Sequence, residues 1–407
     1  MARRLRRFAA VPLALSVLAG CTTFASGAQE TTHAGHSSAS ASLSPSPPTS
    51  AAPTAPAPAP AVSGLPGMPV VVSPANVYSE AGAGMLSPAA AAARPLVYVP
   101  HSGSGEVRVI DPATFQEVDR FPAGREVQHV VPSYDMQTLY ATDDIGNTIT
   151  PIDPKTGAHS ARIPIIDPYN MYFLPDGSAA VSVAEARKTL VFYDPHTWAE
   201  QGQLLIPDCA GIDHADFTAD GRTAVFTCEF AGRVAVVDVA TRTLLRTIDM
   251  PTRNMHMGPQ DIKLSPDGQR FYVADSDQGG LWVLDGAATR VIGQIPIGAG
   301  THGIYPSRDA SVLYVTSRIA GTVTVLDPVT GQVKATWPVP GGSPDMGGVT
   351  ADGTQLWLSG RYNGEIYVLS TADGHLLARI PVGNGPHGLC VWPQPGRYSL
   401  GHTGVTR

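Results

Sequence analysis

The sequence predicts an all-β protein: a seven-bladed β-propeller with four antiparallel strands per blade, its ring closed by a C-terminal inner strand. Three observations carry this reading. Short apolar strand anchors recur at Tyr98, Tyr140, Val181, Val225, Tyr272, Tyr314 and Trp357, at intervals of 42, 41, 44, 47, 42 and 43 residues. That period belongs to solenoids and propellers. Each unit repeats one grammar of four short strands and tight turns, which a helical solenoid or a β-sandwich does not explain. Beyond Arg94 no stretch sustains the 3.6-residue helical period, and Gly (42) and Pro (37) fill about a fifth of the 407 residues, a composition of turns.

The chain begins with a basic segment holding Arg3, Arg4, Arg6 and Arg7, followed by an apolar run over residues 8–19. That run is too short to span a bilayer and has the layout of an export signal. It ends in Leu18-Ala19-Gly20-Cys21, which resembles the bacterial lipobox. The resemblance implies removal of residues 1–20 and lipidation of Cys21, hence a lipid-anchored protein of the cell envelope, outside the cytoplasm. Residues 21–67 are rich in Ser, Ala, Thr and Pro, and no Lys or Arg occurs between Arg7 and Arg94. Such a segment cannot bury enough apolar surface to fold and is expected to be a disordered tether. Residues 68–95 are more apolar and are expected to dock on the propeller, which occupies residues 96–393 and leaves a tail over residues 394–407.

Blade five shows the grammar. Residues 261–265 form an inner strand, Pro266-Asp267-Gly268 a hairpin turn, and Phe271-Tyr272-Val273-Ala274 a second strand. Residues 281–285 and 290–297 follow as the third and fourth strands. Asp-Gly turns recur at Asp176-Gly177, Asp220-Gly221 and Asp352-Gly353, where Gly supplies the positive φ of tight hairpins. Blade one lacks an inner strand of its own, and residues 385–392 have no blade after them. Pairing of the latter beside residues 96–100 would close the ring and remove the open sheet edges.

Tyr272-Val273-Ala274-Asp275 and Tyr314-Val315-Thr316-Ser317 resemble the Tyr-Val-Thr-Asn signature of YVTN/YncE-like seven-bladed propellers. Gly383-Asn384-Gly385-Pro386-His387-Gly388 resembles that family's entry to the inner strand. The likeness covers residues 94–393, and the tail resembles that of exported actinobacterial propellers. Blades three and four depart from the signature, with Ser182-Val183-Ala184-Glu185 and Phe226-Thr227-Cys228-Glu229. Members of this fold serve as scaffolds, metalloenzymes, lyases and lactonases, so the resemblance specifies fold more than function.

Chemistry is expected at the channel rim where inner strands begin and second strands end. Inner strands open on Gln128-His129, Tyr169-Asn170, Asp213-His214, Gln260-Asp261, Thr301-His302, Asp345-Met346 and Pro386-His387. His129, His214, Asp261 and His256 are the candidate metal ligands, for copper or zinc, with Cys228, Met257 and Met346 as soft neighbours that favour copper. His302, His387, Arg318 and Arg361 are the candidate residues for a small anionic ligand. One register conflict stands: His129 and His214 precede their second-strand anchors by eleven residues and His302 by twelve, and adjacent strand positions face opposite ways. A monomeric ligand-binding or interaction scaffold, with a cell-envelope protein or small anion as partner, is favoured over an enzyme of lyase, lactonase or copper-dependent type. The net charge of −7 gives no footprint for nucleic acid.

Cys209, Cys228 and Cys390 remain once Cys21 is lipidated. A hairpin centred on Asp220-Gly221 pairs Asp213 with Cys228. An extended strand would then hold Cys209 about 13 Å from Cys228, beyond bridging distance. Only a loop that folds back would permit a disulfide.

Overall fold

The computed structural model describes residues 64–253 and 256–407; Cys21 and most of the tether fall outside the described residues. Seven four-stranded antiparallel sheets follow one another around a central channel. Their inner strands are Val127–Pro132, Pro168–Phe173, Ile212–Phe217, Pro259–Leu264, Thr301–Pro306 and Gly347–Val349, with Cys390–Trp392 serving blade one. Ring closure follows the sequence expectation. Cys390 pairs with Tyr98 and Trp392 with Leu96, and a bridge joins His101 to Pro386. The four Asp-Gly turns place Gly177, Gly221, Gly268 and Gly353 at φ between 67° and 80°, the left-handed region that tight hairpins need.

The core lies between blades. Val225, Val234 and Val236 of blade four pack against Ile262, Phe271, Val273 and Trp282 of blade five, and comparable clusters fill the other seams. Fourth strands are largely exposed, as along Thr243–Asp249. Burying apolar faces blade against blade makes each sheet a rigid wall, so the inner strands hold their channel-facing side chains in fixed positions.

The chain itself covers the end of the channel that carries the Asp-Gly turns. From the N-terminal side, Leu65 N–H donates to the Asp220 carbonyl, Val77 N–H to that of Pro266, and the Tyr78 hydroxyl to that of Leu264. From the C-terminal side the tail enters the channel. Phe173 N–H donates to the Leu400 carbonyl and His402 N–H to that of Met171. Arg407 pairs at 2.6 Å with the buried Asp216.

Cys209 and Cys228 form a disulfide, with Cα atoms 4.9 Å apart. Two features overturn the extended-strand geometry. The chain turns back after Ile206, whose carbonyl accepts from Cys209 N–H. The hairpin also pairs Ile212, not Asp213, with Cys228 because of a bulge at residues 213–214. Cys390 is a buried free thiol.

Candidate metal centre

The inner strands share a device that the repeat pattern conceals. In blade two, Val127 pairs with Asp143 and Val130 with Ala141, so Gln128 and His129 both stand opposite Thr142. The same two-against-one bulge sets Asp213-His214 against Thr227, Gln260-Asp261 against Ala274 and His302-Gly303 against Thr316. A bulge re-aims the side chains beside it. This removes the register conflict, for histidines on adjacent strand positions now meet in one channel. The backbone amide freed by the bulge finds a hydroxyl on the second strand. His129 N–H donates to Thr142 Oγ1 at 3.1 Å, His214 to Thr227 at 3.0 Å, Gly303 to Thr316 at 2.8 Å and Met346 to Ser359 at 3.2 Å. In blade six this hydroxyl is the Thr of the Tyr-Val-Thr-Ser signature, which gives that motif a physical role.

Five imidazoles meet in the channel, all at most 1% exposed. His129, His214 and His402 each offer a ring nitrogen within 4.8 Å of the others. Ring centroids lie 4.7 Å apart for His214 and His402, and 5.6 Å for His129 and His214. His129 Nδ1–H donates to the Tyr169 carbonyl at 2.8 Å, which fixes its tautomer and leaves the Nε2 lone pair buried without a partner. The Asn170 side chain is oriented by Met171 N–H donating to its Oδ1, so its amide donates to Nδ1 of both His214 and His402, at 3.0 and 2.9 Å. One neutral amide thus shares itself between two rings. Such bonds are worth about 1 kcal/mol net, far less than a metal–imidazole bond contributes to a structural site. Burial pushes His129 down to about 3 and His214 and His402 well below the usual histidine range. All three rings are therefore neutral at physiological pH, the form that binds metal. Gly388 makes room for His129: a Cβ there would come within 2.1 Å of the ring.

A second group, His302, Asp345 and His387, is equally compact but differently engaged. Arg318 Nε donates to Asp345 Oδ1 at 2.6 Å, and its Nη2 donates to His302 Nε2 at 2.5 Å. His302 Nδ1 lies 3.0 Å from Asp345 Oδ1. A guanidinium already fills the cation position here. His387 has neither ring nitrogen partnered, and its ring lies tilted against that of His129, with centroids 4.9 Å apart.

The other expected site residues divide. Asp261 sits at the bulge and comes within 4.0 Å of His402, but its oxygens accept the Ile262 and Ile304 N–H groups, a structural use. His256 is exposed, its N–H bonded to Asp277, and it joins neither histidine group. Cys228 is spent in the disulfide and is no soft ligand. Arg318 is buried in its pairing with Asp345, whereas Arg361 stays partly exposed. The site also lies deeper than the wet rim expected, because the histidines are buried within the channel. At the mouth above them burial raises carboxyl groups: Asp144 to about 6, Glu185 to about 8, and Glu229 and the fully buried Asp213 in the same direction.

His402 was missed. It stands outside the repeat, so no period marks it. The signal available was the tail composition: Tyr398, Leu400 and Val405 with Gly401 and Gly404, apolar and glycine-punctuated, unlike a solvated terminus.

The chain matches the YNCE-like beta-propeller family over residues 57–206 and 295–395, and it belongs to that family. It is 23% identical over 234 residues to the uncharacterized protein YncE of Salmonella typhi, and equally so to that of Salmonella typhimurium; the match covers 55% of this chain and 65% of those relatives. Among solved structures it resembles a functionally unknown protein from Desulfotomaculum acetoxidans (TM-score 0.59, 16% identity, 72% of this chain and 98% of that one). It also resembles hydrazine synthase of Kuenenia stuttgartiensis (TM-score 0.55, 18% identity, 64% and 87% covered). At these identities the likeness shows the propeller fold alone.

Proposed function

We propose that this YncE-like propeller is a lipid-anchored binding protein of the cell envelope whose channel holds one copper or zinc ion on His129, His214 and His402. The observation that carries the reading is the convergence of three neutral, fully buried imidazoles from blade two, blade four and the tail, with nitrogens within 4.8 Å of one another. Buried polar nitrogens without partners are costly; His129 leaves its Nε2 lone pair in that state, and the Nδ1 lone pairs of His214 and His402 share one Asn170 amide that a cation would displace. A cation bound through the three rings would remove this cost. An all-imidazole set suits zinc and copper, and affinity order places copper above zinc. The disulfide supports the extracytoplasmic placement, since such bonds persist in oxidising compartments. The acidic mouth would draw a cation toward the channel.

The test is metal analysis of protein purified without a His tag, then given one equivalent of Cu²⁺ or Zn²⁺ and passed through a desalting column. About one ion per chain should be retained, and retention should fall at least tenfold in His402→Ala and His129→Ala. Equal retention in both variants, or none in the wild type, would overturn the reading. Alanine at Cys21 should release the protein from the membrane fraction; a variant that stays anchored would refute the lipoprotein assignment.

A further inference from the structure

Below the histidines, between the tail and blades five to seven, lies a cavity of about 40 Å³ lined by Lys263, Arg308, His402 and Thr403 among others. At roughly 10–15 Å³ per water, this is room for about three waters or one small polyatomic ion. Its lining contains two cations and no carboxylate.

Lys263 is only 3% exposed and makes no hydrogen bond or ion pair among the described residues. The charged groups around it are committed elsewhere. Asp261 accepts the Ile262 and Ile304 N–H groups, and Asp216 is bound to Arg407 and to the Leu264 and Phe217 N–H groups. Arg308 gives Nε to the Thr350 carbonyl and Nη2 to the Val349 carbonyl and Gln394 Oε1, all neutral acceptors. Its Nη1 has no acceptor among the described residues. Asp261 acts on Lys263 only through space, so the ammonium is left without a hydrogen-bond acceptor among the described residues, which is costly at this burial. Charge-assisted bonds from both side chains to a shared anion would relieve it.

We propose that this cavity binds one small monovalent oxyanion of formate or bicarbonate size between Lys263 and Arg308. The site is independent of the metal reading, although His402 borders both.

The probe is sodium formate, titrated calorimetrically into the purified protein against a sodium chloride control of equal ionic strength. Saturable one-to-one binding is expected, weakened at least tenfold in Lys263→Met. Formate could instead bind a metal ion, so the titration is repeated on metal-stripped His129→Ala, which should bind formate as the wild type does. In anion-poor buffer Lys263→Met should melt at or above the wild-type temperature, because it removes a buried ammonium that has no hydrogen-bond acceptor among the described residues. Absence of saturable formate binding, or equal binding in Lys263→Met, would show an ammonium hydrated by water alone and overturn the proposal. Loss of binding in His129→Ala with retention in Lys263→Met would place the anion on the metal and overturn it equally.

Discussion

Replacing Glu185 by Gln should change how stability depends on pH, by an amount the channel mouth fixes. Burial, then the neighbouring charge of Glu229, raises the Glu185 carboxyl from 4.5 to about 8. The unfolded chain loses this proton near pH 4.5, whereas the folded chain keeps it until about 8. Between those values the folded state holds one more proton, so each unit of rising pH costs about 1.4 kcal/mol of stability. The contribution is present in full below pH 4.5 and is lost as pH rises through 8. Over this window the loss is about 5 kcal/mol, an upper bound because the mouth is partly wet. Gln is nearly isosteric and does not titrate. Urea denaturation of metal-stripped wild type and Glu185→Gln at pH 5 and pH 9 reads the effect, to which the relief of Asp213 from the Glu185 charge adds in the same direction. The variant should gain about 3–5 kcal/mol relative to wild type on going from pH 5 to pH 9. A stability difference that does not move with pH would refute the view of the mouth as a desolvated acidic cluster.

Arg407→Met should cost about 3–5 kcal/mol by leaving Asp216 charged and buried, and limited proteolysis should then clip the tail ahead of the blades. Reducing the Cys209–Cys228 bond, or replacing both residues by Ser, should cost about 3 kcal/mol for a loop of this length, read from denaturation midpoints. Thr227→Val should cost about 1–3 kcal/mol, because the His214 N–H at the bulge loses its acceptor; urea midpoints check this, and Thr227→Ser should restore most of the loss.

The fold was legible because each blade spends its sequence on the same needs: a period near 43 residues, Asp-Gly where φ must be positive, and an unpaired terminal strand that must close the ring. The disulfide and the site were not, for one shared reason. Strict alternation assigns Asp213 to face Cys228 and sends His302 away from His129 and His214. One inserted residue per inner strand cancels both deductions. Bulges leave little trace in a single sequence. The nearest trace here is the hydroxyl two residues after a strand anchor, at Thr142, Thr227, Thr316 and Ser359, which recurs because it caps the bulge amide. His129, His214, His302 and His387 could be found by column, but their partner His402 could not.

The tail explains why the histidines cluster inside the channel rather than at the rim. Blades two and four bring His129 and His214 together once the ring has closed, but the third imidazole arrives only when residues 398–407 enter from the turn-bearing end. The terminal Arg407–Asp216 pair holds it there. Asn170 then bonds to the rings of His214 and His402 at once, one from a blade and one from the tail. Completing the site is therefore the same event as docking the terminus. A cation that binds only the completed site must stabilise the docked tail by mass action, about 2.7 kcal/mol at a hundredfold excess over its dissociation constant. Docking must in turn raise affinity for the cation by the same coupling. A site made of blades alone would lack this linkage, and a wet rim would lack the desolvation that keeps the imidazoles neutral.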